Sequence, residues 1–286
     1  AYGQLGLIFE EVSGAPNAVV SEINIYSSNP KQLKPFEGES KKELYHTQTY
    51  IVDTEVDVEA IMPTFTPIPV AITGAYQTKL SLDGTWAFNA KPKADFYKQE
   101  AGKDWNPIVV PGQWSMQGFE VDSLQYAGYL RTFSVPKDWN GNTLKIRFDG
   151  VSSDSEIYLN GQKVGYHLGG MTAFEVDITS TVKIGQENLL AVKVRSESLA
   201  DMLGSLTQYA AHQLGGITRK VTLFAVPKTH IEDLRVETIL DKEFKDAELR
   251  VFAKIVNTTD EPQKDLSVRL TLDNSNFVVE KDIPNI

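Results

Sequence analysis

From Lys79 onward, apolar and polar residues alternate in short runs: TLKIRFDG, EIYLNG, NLLAVKVRS, RKVTLFAVP, AELRVFAKIVN. Within each run Val, Ile, Leu, Phe or Tyr recurs at every second position, the period of a half-buried strand. Gly, Asn, Asp and Pro stand between the runs and interrupt them. No long stretch carries the period of a helix; KADFYKQEAGKDW has room for a helical turn or two. Many short strands with regular turn signals predict an all-β chain folded as a jelly-roll β-sandwich followed by a second sandwich.

The hairpin signal is sharpest in EIYLNGQKVGYH, Glu156 to His167. Asn160-Gly161 lies between two alternating runs, and both residue types tolerate the positive φ of a type I′ turn. Ile157, Leu159 and Val164 can bury one face. Tyr158 and Tyr166 could stack on a sugar, although strand aromatics more often serve sheet packing. Asp154 and Glu156 would share a strand face, where paired carboxylates are usually solvated.

Three segments follow from the punctuation. Residues 1–78 hold two strand-like runs, LGLIFEEV and VSEINIYSS, then a polar linker and the proline-rich IMPTFTPIPVAI, which cannot be a central strand. They are expected to form a partial leading module plus linker. Residues 79–228 carry the jelly roll. Pro227 closes that set, and 229–286 open an immunoglobulin-like sandwich with too few strands to close it. Either the chain stops inside that domain or the missing strands come from elsewhere.

Composition narrows the chemistry. The formal net charge is -10, with Lys and Arg scattered, so a phosphate backbone is a poor partner. No apolar run is long enough for a membrane span. Cysteine is absent, which excludes disulfides, thiolate metal sites and cysteine nucleophiles. The four histidines, His46, His167, His212 and His230, lack metal-ligand spacing, so no metal is expected. No phosphate loop, dinucleotide fingerprint or Gly-x-Ser-x-Gly elbow occurs, and no cofactor is expected.

Six blocks in order resemble the N-terminal part of family-2 glycoside hydrolases, the group of β-galactosidases, β-glucuronidases and β-mannosidases. They are SLDGTWAF, VVPGQWSMQGF, YAGYLRTFSVP, IRFDGVSSDSEIYLNGQKVGYHLGGMTAFEVDIT, GQENLLAVKV and GGITRKVTLFAVPKTHIEDLRVET. The resemblance implies a galactose-binding-like jelly roll and the start of an immunoglobulin-like domain. It places the two catalytic carboxylates of a retaining glycosidase in a later barrel of the same polypeptide, so no catalytic residue is assigned here. A carbohydrate substrate and that barrel are the expected partners, and a periplasmic or extracellular location is suspected.

An acidic residue after the strand matching LLAVKV reaches the sugar site in β-galactosidases. Glu197 and Asp201 are both candidates. His212 lies in a loop that runs toward the active site in the family. Asn160, Gly161 and Arg219 are expected to be structural, Arg219 by holding the preceding loop through its guanidinium. The chain departs from the family at Thr218, where an aromatic is usual, and in AHQLGG, where Trp-Arg often stands. These departures leave the substrate open. The expected function is the non-catalytic N-terminal region of a β-galactosidase-like enzyme. The alternatives are a stand-alone carbohydrate-binding module and a structural or adhesive β-sandwich.

Overall fold

The computed structural model describes residues 65–122, 125–170, 172–197, 214–272, 277–283 and 285–286, together with the backbone of three earlier strands. Those strands are β1 (Gly3–Ile8), β2 (Val12–Ser13) and β3 (Val20–Ser27). The middle of the chain forms β4 (Lys79–Ser81), β5 (Gly84–Asn89), β6 (Asn106–Val110), β7 (Tyr126–Ser134), β8 (Thr143–Phe148) and β9 (Val151–Ser152). It continues with β10 (Ser155–Leu159), β11 (Gln162–His167), β12 (Phe174–Asp177), β13 (Glu187–Arg195), β14 (Gly216–Ile217) and β15 (Val221–Val226). Last come β16 (Thr229–Leu240), β17 (Asp246–Asn257), β18 (Leu266–Leu272) and β19 (Val278–Ile283).

Contacts divide the chain into two units, Ile68–Pro227 and a second made of Ala1–Pro67 with Lys228–Ile286. The first unit is a jelly-roll sandwich. A six-stranded sheet, ordered β11-β10-β13-β7-β5-β6, faces a four-stranded sheet, β12-β8-β15-β4. Inward residues interdigitate between them: Trp86, Phe88 and Tyr129 from one sheet, Ile146, Phe148 and Leu223 from the other. Trp86 is 1% exposed, and its indole N–H donates to the Leu82 carbonyl at 2.8 Å. Trp139 does the same to the Gln77 carbonyl at 2.7 Å. Both rings therefore bury a large apolar surface without leaving a donor unpaired. The KADFYKQEAGKDW stretch contributes one short 3₁₀ turn, Phe96–Lys98. Its aromatics do not enter the main core. Phe96, Tyr97 and Trp105 instead cap the outer face of the six-stranded sheet over Leu130, Tyr158 and Ala191.

The second unit joins strands from the first 78 residues, expected as a partial module and linker, to those of 229–286. β1 pairs antiparallel with β17 and β3 with β18, giving three-stranded paths β1-β17-β16 and β19-β18-β3. Val251, Ala253 and Ile255 pack with Val268 and Leu270 between the two sheets. The strands missing from the immunoglobulin-like run are thus supplied by the opposite end of the chain. The 61–78 stretch divides between the units at Pro67.

Candidate sugar-site rim

One end of the jelly roll gathers three of the sequence blocks. The turn after β6 enters through a cis Val110–Pro111 bond and carries Trp114. Its backbone is tied to β14: Gly112 N–H donates to the Ile217 carbonyl at 2.8 Å and Trp114 N–H to the Gly215 carbonyl at 3.2 Å. β14 in turn pairs with β9, and Ser152 Oγ donates to the Leu214 carbonyl at 3.3 Å. The paired glycines of GGITR are explained here. A Cβ on Gly215 would lie 2.1 Å from Cζ2 of Trp114. Gly216 has φ +110, and its Cβ would lie 2.6 Å from the Tyr129 hydroxyl. Only glycine lets the chain cross this closely over two rings while one residue holds a positive φ.

Of the sequence-predicted acids, Glu197 lies within the described residues. It follows β13 by two residues and is half-buried. Ser196 before it is pinned twice: its N–H donates to the Gln125 carbonyl at 2.9 Å and its hydroxyl to the Asp122 carbonyl at 2.8 Å. The backbone that carries Glu197 is therefore fixed by the loop preceding β7. Asp201 and His212 lie outside the described residues.

Asn160 and Gly161 adopt φ 51° and 83°, as a type I′ turn requires. Asn160 does more than turn the chain. Its amide donates to the Thr181 carbonyl at 3.1 Å and to Asn188 Oδ1 at 2.9 Å, and its Oδ1 accepts from Leu189 N–H at 3.1 Å. Asn188 is 1% exposed and has every side-chain group engaged, with Lys183 N–H, the Lys183 and Gln186 carbonyls and Asn160. The hairpin is thereby locked to the strand beside it.

Arg219 requires a correction. It is exposed, and among the described residues its guanidinium makes no hydrogen bond. The anchoring comes from main chain, since Thr218 and Arg219 N–H both donate to the Gly150 carbonyl, at 3.1 and 3.3 Å. The aliphatic stem of Arg219 covers Gly150.

The hairpin aromatics separate. Tyr158 is buried, stacks on Tyr97 with centroids 3.9 Å apart, and donates to Glu156 at 2.5 Å. Tyr166 is 65% exposed. Asp154 accepts from Gly169 N–H at 3.2 Å, and Glu156 takes Lys163 and Lys193 at 3.5 and 3.7 Å. Partial burial pushes the Glu156 carboxyl upward, but the Tyr158 hydroxyl and the two lysines outweigh it and hold the group below the usual carboxylate range. It stays ionised and paired, which suits a structural acid and not a proton donor. No cluster of metal-ligating side chains occurs among the described residues.

His167 stacks on Phe174 at 4.2 Å, and its Nε2 meets Thr172 Oγ1 at 2.9 Å. Burial holds its pKa below the ordinary value of 6.5, with Asp154 partly opposing. A depressed histidine leaves the unfolded chain binding more protons at acid pH, so stability is lost as pH falls from the unfolded value through the folded one. The melting temperature should therefore drop below about pH 6.5, the unfolded histidine value. His167→Phe should flatten that part of the curve while keeping the stack. An unchanged pH profile in the variant would assign the acid sensitivity elsewhere.

The two facing sheets and the buried aromatics between them define a class, the jelly-roll β-sandwich. Residues 79–227 match the family described as "Glycosyl hydrolases family 2, sugar binding domain". The chain belongs to glycoside hydrolase family 2. It is 31% identical over 227 residues to a β-galactosidase of Priestia megaterium, covering 68% of this chain and 21% of that protein. It is 35% identical over 201 residues to a β-galactosidase of Kluyveromyces lactis, covering 60% and 19%. A solved calcium-binding mutant of Bacteroides uniformis β-glucuronidase 2 superposes with a TM-score of 0.57 at 25% identity, covering 73% of this chain and 26% of that one. The chain spans about a fifth of the length of the curated relatives it matches.

Proposed function

We propose that this chain is the non-catalytic N-terminal region of a retaining β-galactosidase-like glycosidase. It supports a downstream barrel and contributes part of the rim of its active site. The observation that carries the reading is the placement of Glu197. This acid is half-buried just past the end of β13, on backbone pinned by Ser196 to the loop that precedes β7. A carboxylate so held can accept hydrogen bonds from sugar hydroxyls without first losing much conformational freedom. The much greater length of the curated relatives supports a larger polypeptide around it.

The test is kinetic and uses the full-length protein. Glu197→Ala should lower kcat/KM by about tenfold, since a hydrogen bond to a charged group contributes about 1.5–3 kcal/mol. Asp201→Ala is the comparison. If the rim acid is Asp201, the two effects will be exchanged. Normal kinetics in both variants would reduce this jelly roll to scaffold.

A further inference from the structure

The outer face of the six-stranded sheet carries a strip of aromatic and cationic side chains that the rim does not use. Cross-strand register aligns Tyr166 with Glu156, Glu156 with Lys193, and Arg195 with Tyr126. A bulge between Ile157 and Tyr158 lets Lys163, opposite Tyr158, share this face with Tyr166. The Lys163 ammonium lies 5.6 Å from the Tyr166 ring centre. On the other side Lys193 sits 4.0 Å over the Tyr126 ring and Arg195 5.7 Å from it. Phe96 and Trp105, packed over Gly128, wall off one border.

The charges on this strip are not balanced. Glu156 serves both Lys163 and Lys193, and Asp154 is engaged by Gly169 N–H. Arg195 forms no ion pair among the described residues, and its Nε is buried without a hydrogen-bond partner. In a chain of net charge -10 this guanidinium lies 5.7 Å from a tyrosine ring centre, and among the described residues its fork makes no hydrogen bond. A guanidinium so placed matches a planar carboxylate in a two-pronged hydrogen bond. Tyr166, 65% exposed on the edge strand, offers an aromatic face of the kind on which a sugar ring packs. From Tyr166 to Arg195 the backbone crosses two strand spacings and advances two residues, about 12 Å.

We propose that this strip binds a uronic-acid-containing oligosaccharide, with a uronate carboxylate on Arg195 and a neighbouring sugar ring on Tyr166. The site rests neither on Glu197 nor on a downstream barrel. It would let the chain hold an acidic glycan apart from any active site.

Binding of tri-galacturonate, a hyaluronan tetrasaccharide and neutral maltotriose to the 286-residue chain tests this, by calorimetry or by ligand-observed NMR. At least one uronate should bind ten times more tightly than maltotriose, and its affinity should fall as salt is raised. Arg195→Gln should cost tenfold or more. Arg195→Lys, which keeps the charge but loses the fork, should fall between. Tyr166→Ala should cost several-fold, and Lys91→Ala, on the exposed pair with Asp122, should change nothing. Circular dichroism melting confirms that each variant folds. If a variant does not fold, chemical-shift changes at the Tyr166 and Tyr126 rings of the unmodified chain locate the ligand. Failure of both uronates to bind, equal affinity for the neutral sugar, unchanged affinity in Arg195→Gln, or shifts confined to residues away from this face would each overturn the proposal.

Discussion

Gly215→Ala is expected to lower the stability of the jelly roll by about 2–3 kcal/mol, the upper part of the usual range for overpacking. The added methyl would lie 2.1 Å from Cζ2 and 2.2 Å from Cε2 of Trp114. Relief is not available from a rotamer change, because Trp114 is 5% exposed and packed 6.2 Å from Phe88 between ring centres. Trp114→Ala alone should cost about 3–5 kcal/mol as a large aromatic leaves the core. Adding Gly215→Ala to it should then cost under about 0.5 kcal/mol, because the partner of the clash is gone and the two changes are coupled. Urea unfolding followed by far-ultraviolet circular dichroism measures all three. Additive losses would show that Gly215 is required for its backbone and not for the ring above it.

Asn188→Ala should cost about 3 kcal/mol or more. The substitution strands Lys183 N–H, the Lys183 and Gln186 carbonyls and the Asn160 amide, and an orphaned buried group costs about 1–3 kcal/mol. For a unit of this size that corresponds to a melting shift of roughly 6–12 °C. Asn188→Leu, which keeps the volume, should recover little of it. Hydrogen exchange gives a second readout. The Lys183 amide, whose acceptor is Asn188 itself, should lose protection, whereas amides in the β7–β13 ladder should change only with global stability. A loss under about 1 kcal/mol would mean that water replaces the missing amide.

Both predictions concern contacts between blocks that are individually visible in the chain. VVPGQW and GGITR lie about a hundred residues apart, and each can be picked out as a motif. Neither says that the tryptophan of one fills the space left by the glycines of the other. A doubled glycine is a signal of close approach, but the approaching group is named only by the fold. Asn160 behaves similarly. Its place in a type I′ turn follows from two adjacent residues, while its grip on Asn188 depends on β10 and β13 becoming neighbours. Arg219 shows the opposite failure. An arginine beside a closing motif suggested a guanidinium clamp, yet the clamp is made by main-chain N–H groups that no side-chain pattern reports.

The strand content, the all-β class, the hairpin and the order of the jelly-roll blocks could be read from the sequence alone, because each rests on local terms. A period of two, a positive-φ pair or a proline that breaks a run involves residues within a few positions of one another. Tertiary structure alone decided which strands meet. β1 finds β17, and β3 finds β18, across more than two hundred residues. Alternation states that a strand has a buried face but not what covers it. Tertiary structure also decided that Tyr158 is packed away while Tyr166 stays open, although both stand in one hairpin. That division comes from Tyr97, which stacks on the first ring and not on the second. Burial is a property of the partner as much as of the residue, and the partner is fixed only when the chain closes on itself.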